Sequence, residues 1–324
     1  MTEIWLPLLG GLVLLILGGD LLVRGAVRVA GALGVPPLVI GLTLVGFGTS
    51  TPELVTSLQA ALSGAPGIAF GNIVGSNIAN ILLIGGVAAL ICPIAVESVA
   101  LRRDGMAMLG AALAFAAMAW VLPPGRLAGF AGIALLCAYL YAAFRHEAAA
   151  PADHGAAKDK ELALEGADPA TRPGRGGTLW LNLGIALGGL VLVVLGGKFL
   201  VDGAVSLARG MGISETVIGL TIVAVGTSMP ELVTSVIAGL KRQGEVAFGN
   251  IVGSNIYNIL GIGGTTLAVV PGPVPPEMLR LDLPVMVAVS LLFVVLARTG
   301  WRLSRPEGLV LLAGYGAYLW AVWP

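Results

Sequence analysis

Two glutamates, Glu53 and Glu231, stand inside long apolar stretches of the chain, in the closely similar segments VGFGTSTPELVTS (45–57) and VAVGTSMPELVTS (223–235). Neither segment contains a Lys, Arg or His that could pair with its carboxylate. A buried carboxylate is costly unless it is protonated, paired or bound to a cation. Two carboxylates among carbonyl and hydroxyl oxygens form a ligand set that suits Ca²⁺ or Na⁺. The alternative is a protonated glutamate hydrogen-bonded to a neighbouring helix, which would have to occur at both positions.

A proline comes immediately before each glutamate, at Pro52 and Pro230. Inside a helix, proline removes one backbone hydrogen bond and clashes with the carbonyl four residues before it. A Ser or Thr one or two residues before a proline is also typical of a new helix start, so each segment is predicted to be a discontinuous helix. Exposed carbonyls at membrane depth are tolerated only where they line a cavity or bind something. The hydroxyls beside the two breaks belong to Thr49, Ser50, Thr227 and Ser228.

A second motif follows each break, FGNIVGSNIANIL from Phe70 and FGNIVGSNIYNIL from Phe248. Its small residues allow close helix packing in a membrane. Ser76 and Asn80 are four residues apart and therefore share one helix face. Ser254 and Asn258 repeat this spacing. The serines could serve packing alone, but buried polar side chains at this depth need partners.

The composition is that of a protein embedded in a membrane. Of the 324 residues, 57% are hydrophobic and only 11% are charged, whereas soluble domains average about 25% charged residues. A transmembrane helix needs about 17–25 residues, and ten apolar runs are long enough. We predict an all-α polytopic membrane protein with ten transmembrane helices, at about 4–23, 36–62, 68–91, 105–122, 126–144, 179–201, 213–240, 246–270, 281–297 and 307–323.

The chain contains one repeat, used twice at a constant offset of 178 residues. Residues 39–57 match 217–235 at 15 of 19 positions, and 68–86 match 246–264 at 16 of 19. Five predicted spans separate each element from its copy, and an odd number inverts the second copy across the membrane. Two inverted-topology halves are typical of secondary transporters, whose substrate binds at the repeat interface near the midplane. A passive channel could share this symmetry, but its flux would not need a counter-ion.

The distribution of Lys and Arg predicts the orientation. With the N-terminus outside, 14 of the 18 Lys and Arg residues fall on the inner side, so both termini are predicted outside. Residues 145–178 are rich in Ala, Gly, Pro and charge, which predicts a flexible cytoplasmic linker. Both histidines lie in this linker, and Cys92 and Cys137 are isolated, so the sequence favours neither a metal cluster nor a disulfide framework. The net charge of zero excludes a basic nucleic-acid surface.

The paired motifs GTSTPELVTS…GNIVGSNIANI and GTSMPELVTS…GNIVGSNIYNI resemble the two α-repeats of the calcium/cation antiporter superfamily, in particular its prokaryotic sodium/calcium exchanger branch. We expect a first five-helix repeat over residues 1–144, with its signature at about 36–91, and a second over 179–324, with its signature at about 213–270. The resemblance implies that Ca²⁺ and Na⁺ are transported ions. No cofactor, no nucleic acid and no obligate protein partner are expected beside the cations and the lipid bilayer.

Carried over by position, the resemblance implies a central Ca²⁺ site surrounded by Glu53, Glu231, Thr49 and Thr227. One Na⁺ site would consist of Ser50, Ser76, Glu231 and the carbonyl of Gly46. Its mirror image would consist of Ser228, Ser254, Glu53 and the carbonyl of Ala224. Asn80 and Asn258 would line the middle, and asparagine at both positions argues against K⁺ co-transport, since the K⁺-dependent exchangers tend to carry Asp there.

Two opposite-charge pairs, Asp20–Arg24 and Lys198–Asp202, occupy equivalent repeat positions at i,i+4 spacing. Charged helix ends that extend to the interface are the common explanation. The family likeness suggests that these two helices slide during alternating access, so a gating latch is the other interpretation.

The favoured interpretation is Na⁺/Ca²⁺ antiport by alternating access, in the plasma membrane of a prokaryote, with both ions competing for one midplane site. A Ca²⁺/H⁺ antiporter using Glu53 and Glu231 is the alternative; that branch usually carries Gly-Asn-x-x-Glu instead of Gly-Thr-Ser-x-Pro-Glu. A serine hydrolase using Ser50 or Ser228 lacks its general base, since the histidines lie in the linker. The chain is therefore predicted not to be an enzyme.

Overall fold

The computed structural model describes residues 2–33, 46–121, 124–149 and 179–324, and almost all of them are helical. The helices are α1 (Thr2–Ala32), α2 (Gly46–Gly48), α3 (Thr51–Leu62), α4 (Pro66–Ile91), α5 (Ser98–Val121), α6 (Arg126–Ala149), α7 (Leu179–Met211), α8 (Glu215–Thr227), α9 (Met229–Leu240), α10 (244–269), α11 (Pro276–Arg280), α12 (Asp282–Arg298) and α13 (Arg305–Val322). Two short strands, β1 (Ile94–Ala95) and β2 (Arg302–Leu303), pair antiparallel.

The prediction of an all-helical membrane fold is confirmed. Within the described ranges, α1, α4, α5, α6 and α7 are each long and apolar enough to cross a membrane, and α8 with α9 could form a further span bent by 47°. The total of ten spans stays a prediction. Helix α6 continues to Ala149, so the first residues assigned to the linker are helical. The start of the predicted second span (34–45) and residues 150–178 lie outside the described residues.

The internal repeat of the sequence is also visible in the positions at which the helices begin and end. Adding 178 to the ends of α3 gives the ends of α9. Both α4 and α10 contain π-helical turns at matching places, Asn80–Ile84 and Tyr257–Gly263. The β1–β2 ladder has no counterpart in the described part of the chain. Beside it, the Arg305 guanidinium donates to the carbonyl of Leu90 at 3.1 Å, which satisfies one of the open carbonyls at the end of α4.

Helices α1 and α7, the first helices of the two halves, pack closely in opposite directions. A methyl group added at Gly11, Gly18 or Gly25 would lie 2.4, 2.7 or 2.5 Å from a backbone nitrogen of α7. Gly11 faces Leu200, and Gly25 faces Ala186, so residue numbers rise along α1 while they fall along α7. The helices are therefore antiparallel. The counterparts on α7 face α1 equally closely: Gly189, Gly196 and Gly203. Small residues let membrane helices approach this closely, and the antiparallel pair shows the inversion of one half relative to the other.

Candidate ion-binding site

Each helix break delivers a serine hydroxyl to the glutamate of the opposite half. Ser50 lies between α2 and α3, and its hydroxyl donates to Oε1 of Glu231 at 3.1 Å. Ser228 lies between α8 and α9, and its hydroxyl donates to Oε1 of Glu53 at 3.0 Å. Both serines hold the N-cap position, as predicted for a break, but neither side chain caps its own helix. The hydroxyls are directed across the interface instead, and all four residues are at most 2% exposed.

An asparagine of the second motif fixes the backbone of each glutamate. The amide nitrogen of Asn72 donates to the carbonyl of Glu53 at 3.2 Å and to the hydroxyl of Ser57 at 2.9 Å. Asn250 makes the equivalent bond to the carbonyl of Glu231, also at 3.2 Å. These two asparagines were not among the predicted site residues. Their signal was the same 178-residue offset that identified the glutamates.

The two predicted threonines differ in their surroundings. The Thr227 hydroxyl donates to the side-chain oxygen of Asn72 at 2.9 Å and lies 3.3 Å from the carbonyl of Ala224. Thr49 is 3% exposed, and its hydroxyl has no hydrogen-bond partner among the described residues. A buried hydroxyl without a partner is costly.

The serines of the second motif, Ser76 and Ser254, each lie beside a partner that the resemblance assigned to the other serine. The Ser76 hydroxyl lies 3.5 Å from the carbonyl of Ala224, and the Ser254 hydroxyl lies 3.5 Å from Oε1 of Glu231. The physical reason is the packing of α4 against α8, where a methyl group on Gly75 would lie 2.8 Å from the Ala224 side chain. The helix carrying Ser76 is therefore beside the break of the other half. The ion sets themselves stay a prediction, and in the structure each serine lies beside the partner that the resemblance gave to the other.

Asn80 and Asn258 lie in the π-helical turns of α4 and α10, a feature often found at functional sites. The amide of Asn80 donates to the side-chain oxygen of Asn255 at 3.1 Å. Asn258 is fully buried, and neither its oxygen nor its nitrogen has a hydrogen-bond partner within the described residues. Gly46 begins α2, and the residues just before it lie outside the described part, so its carbonyl stays a predicted ligand.

This arrangement can bind hard cations through oxygen ligands alone. The described residues contain no group of three or more His, Cys, Asp or Glu side chains that could hold a metal. The negative charge therefore comes from two carboxylates, supplemented by neutral hydroxyl, amide and carbonyl groups. A total of −2 matches one Ca²⁺ or two Na⁺, and such oxygen sets are typical of hard cations.

A cavity of about 560 Å³ is lined by residues of α1 and of both helix breaks. Asp20 and Arg24 of α1 line it, and at its inner end lies Thr49. Val233 of α9 also faces this cavity and is 48% exposed. The cavity thus connects the Arg24 side of the protein with the candidate site.

The equivalent position on α7 is more tightly packed. A methyl group on Gly197 of α7 would lie 2.7 Å from the side chain of Val55, so α7 packs directly against α3. At the counterpart Gly19 of α1, the nearest atom belongs to Pro52 and is 3.8 Å away. The two inverted halves therefore differ in packing at these equivalent positions.

The two charged pairs share this asymmetry. The Nε of Arg24 lies 2.8 Å from a carboxylate oxygen of Asp20 beside the cavity. Lys198 and Asp202 are both exposed and form no ion pair in the described structure. Only one of the two predicted pairs is therefore formed in this conformation.

A second pair of buried carboxylates, which was not predicted, lies at equivalent repeat positions, Asp104 and Asp282. Asp104 accepts hydrogen bonds from Arg103 at 2.8 Å and from the Tyr139 hydroxyl at 3.1 Å. Asp282 accepts from the Tyr318 hydroxyl at 2.9 Å. The bond from Tyr139 connects α6 to α5, and the bond from Tyr318 connects α13 to α12. Applying the 178-residue offset to every acidic residue would have found this pair.

Known proteins are similar to this chain over both of its halves. The sequence profile of the family described as "Sodium/calcium exchanger protein" matches residues 3–145 and 181–323. The chain is 39% identical to "Sodium/calcium exchanger MaX1" of Methanosarcina acetivorans, with 98% of each chain covered. It is 38% identical to "Inner membrane protein YrbG" of Escherichia coli, with 96% of this chain and 94% of that protein covered.

A solved structure is similar over the whole chain. It is the sodium-calcium exchanger NCX_Mj soaked with Na⁺ and Sr²⁺, with a TM-score of 0.63 and 31% sequence identity. The alignment covers 98% of this chain and 96% of that one.

Proposed function

Because the chain belongs to the sodium/calcium exchanger protein family, we propose that it exchanges Na⁺ for Ca²⁺ at the site between its two halves. Membership makes it a membrane cation exchanger and not an enzyme. The proposal adds the coupling ion, the ligands and the route of access. The observation that carries it is the reciprocal placement of Ser50 beside Glu231 and Ser228 beside Glu53.

The glutamates are the proposed Ca²⁺ ligands, together with Thr49 and Thr227. Both carboxylates are 1% exposed, and burial strengthens their attraction for a divalent cation. Asn72 and Asn250 hold the two backbones in place, so the carboxylates approach the ion with little rearrangement. Asn80 and Asn258 supply neutral oxygens at the middle, which supports a site without further charge.

Two Na⁺ sites are proposed from the hydroxyl and carbonyl groups on either side. One uses Ser50, Ser254 and Glu231, with the predicted carbonyl of Gly46. Its mirror image uses Ser228, Ser76, Glu53 and the carbonyl of Ala224. Neutral oxygens suit a monovalent cation because they add ligands without adding charge. Each Na⁺ set shares one glutamate with the Ca²⁺ set, so the two ions compete.

Access is proposed to alternate between the two sides through movement of α1 and α7. The open cavity beside α1 and the closed packing of α7 against α3 support this view. In the orientation favoured by the Lys and Arg distribution, the open side is cytoplasmic and both termini are outside. The halves 1–144 and 179–324 would be joined by a cytoplasmic linker in a prokaryotic plasma membrane.

The decisive experiment is Ca²⁺ uptake into proteoliposomes that contain the purified full chain. An outward Na⁺ gradient is expected to drive uptake, whereas an equal K⁺ gradient is not. Uptake driven by a pH gradient in the absence of Na⁺ would replace this proposal by Ca²⁺/H⁺ exchange. Flux without any counter-ion gradient would indicate a channel.

A further inference from the structure

We propose that a groove between α5 and α12 binds an anionic phospholipid, with the lipid phosphate between Arg102 and Arg298. The groove is a cavity of about 300 Å³ where α5 begins and α12 ends. Both arginines line it and both are exposed. It is lined by none of the proposed ion ligands, and the inference does not depend on which ions are transported.

The shape of the groove suits a lipid because its wall is apolar. The wall residues are Leu101, Met106, Val294 and Val295. Met106 is 53% exposed, so an acyl chain can lie against it. At the same end, the Trp301 ring lies 4.3 Å from the guanidinium carbon of Arg298, and tryptophan is enriched at the membrane–water interface. The arginines are therefore at headgroup level, with the apolar wall extending toward the hydrocarbon.

The charge of the groove also suits a phosphate diester. Its lining residues include two guanidinium groups and no carboxylate. The nearby Asp104 is already bound by Arg103 at 2.8 and 3.1 Å. At the rim, the Thr299 hydroxyl donates to one carboxylate oxygen of Glu307. The backbone nitrogen of Ser304 donates to the other oxygen at 2.6 Å. Basic pockets between transmembrane helices bind lipid headgroups, and arginine can donate two parallel hydrogen bonds to a phosphate.

The duplication of the chain provides an internal comparison. At an offset of 178, Arg102 corresponds to Arg280, whereas Arg298 corresponds to Trp120. The Trp120 indole donates to the carbonyl of Leu279 at 2.9 Å, and Leu279 is the counterpart of Leu101. An indole thus occupies, in one half, the place that a guanidinium occupies in the other. The basic groove is a property of one membrane face.

The test is native mass spectrometry of the full chain equilibrated with equimolar phosphatidylglycerol and phosphatidylcholine. We expect the protein to retain phosphatidylglycerol preferentially. Arg102→Gln and Arg298→Gln should each weaken retention about fivefold, and the double variant about 30-fold. Arg280→Gln, which removes the same charge at the equivalent position, should retain the lipid as the unaltered protein does. Val295→Trp should lower retention with both arginines present, because the indole fills the apolar wall.

Equal retention by Arg102→Gln and the unaltered protein would overturn the proposal. So would an equal loss in Arg280→Gln, since it would indicate unspecific attraction. Displacement of the lipid by inorganic phosphate would identify a phosphate site without an acyl chain and would also overturn it. If Arg298→Gln fails to fold by size-exclusion chromatography, Arg102→Gln and Val295→Trp decide the question.

Discussion

The hydroxyl of Ser50 donates to the carboxylate of Glu231, 181 residues away in sequence, at 3.1 Å. The equivalent bond from Ser228 to Glu53 crosses the same interface in the other direction. Neither half therefore contains a complete site. A duplication whose breaks exchange hydroxyls makes the proposed ion site depend on the relative position of the halves, which is what a transporter with two access states needs.

The first prediction concerns the charge of the site. Glu53→Gln or Glu231→Gln keeps the side-chain shape but lowers the site charge from −2 to −1, which is too little to hold a divalent ion in a buried position. We expect Na⁺-driven Ca²⁺ uptake to be abolished in either variant, with normal folding by size-exclusion chromatography. Glu245→Gln, at an exposed position, is the control and should transport normally. Uptake at the normal rate in a folded Glu53→Gln protein would remove the glutamates from the mechanism.

The second prediction tests the close packing of α1 and α7. A methyl group on Gly189 would lie 2.3 Å from the backbone nitrogen of Leu22, whereas one on the adjacent Gly188 meets nothing within 4 Å. Gly189→Ala should lower the free energy of unfolding by about 1–3 kcal/mol and reduce transport. Gly188→Ala should be nearly neutral. Thermal unfolding in detergent measures both, and equal effects would show that the helices do not pack in this way.

The third prediction concerns the buried carboxylate of Asp282. Tyr318→Phe removes its hydrogen bond and leaves a buried charge less well satisfied, at a cost of about 1–3 kcal/mol. Tyr315→Phe, one turn earlier on α13, is the matched control because the Tyr315 hydroxyl has no partner among the described residues. A denaturation series in detergent should show a lower midpoint for Tyr318→Phe only. A similar loss in both variants would assign the effect to general packing.

Much of the fold could be predicted because the relevant signals are visible in the sequence pattern itself. The proline and the glutamate identify the breaks, and the constant offset identifies the duplication. The partner of Ser76 could not be predicted in this way. Helix α4 contacts both breaks, since Asn72 bonds to Glu53 of its own half whereas Gly75 packs against Ala224 of the other. The exchanged serines follow from tertiary packing that spacing alone does not contain.

The difference in packing between the two halves was likewise not predictable. Gly19 and Gly197 are equivalent in sequence, yet an added methyl group would lie 3.8 Å from its nearest neighbour at Gly19 and 2.7 Å at Gly197. Two equal halves can adopt either of two mirrored arrangements, and the sequence pattern is the same in both. Only the three-dimensional packing distinguishes the two halves.

The fourth prediction separates sodium coupling from calcium binding. Ser254 lies 3.5 Å from Glu231 and Ser76 lies 3.5 Å from the Ala224 carbonyl, so each hydroxyl belongs to one proposed Na⁺ set. Removing a neutral hydroxyl leaves both carboxylates in place. Ser76→Ala and Ser254→Ala should therefore raise the half-maximal Na⁺ concentration several-fold, while the Ca²⁺ affinity changes less.

The measurement is Ca²⁺ counterflow in liposomes at a series of Na⁺ concentrations. Thr266→Ala is the control, because its buried hydroxyl has no hydrogen-bond partner within the described residues and belongs to none of the proposed ion sets. Proton coupling predicts a different pattern, in which flux follows pH and there is no Na⁺ dependence to shift. Equal or larger damage to Ca²⁺ affinity would assign the two serines to the calcium site or to packing. Because the two sets are mirror images, a shift in only one variant would show that the two Na⁺ sites are not equivalent in this conformation.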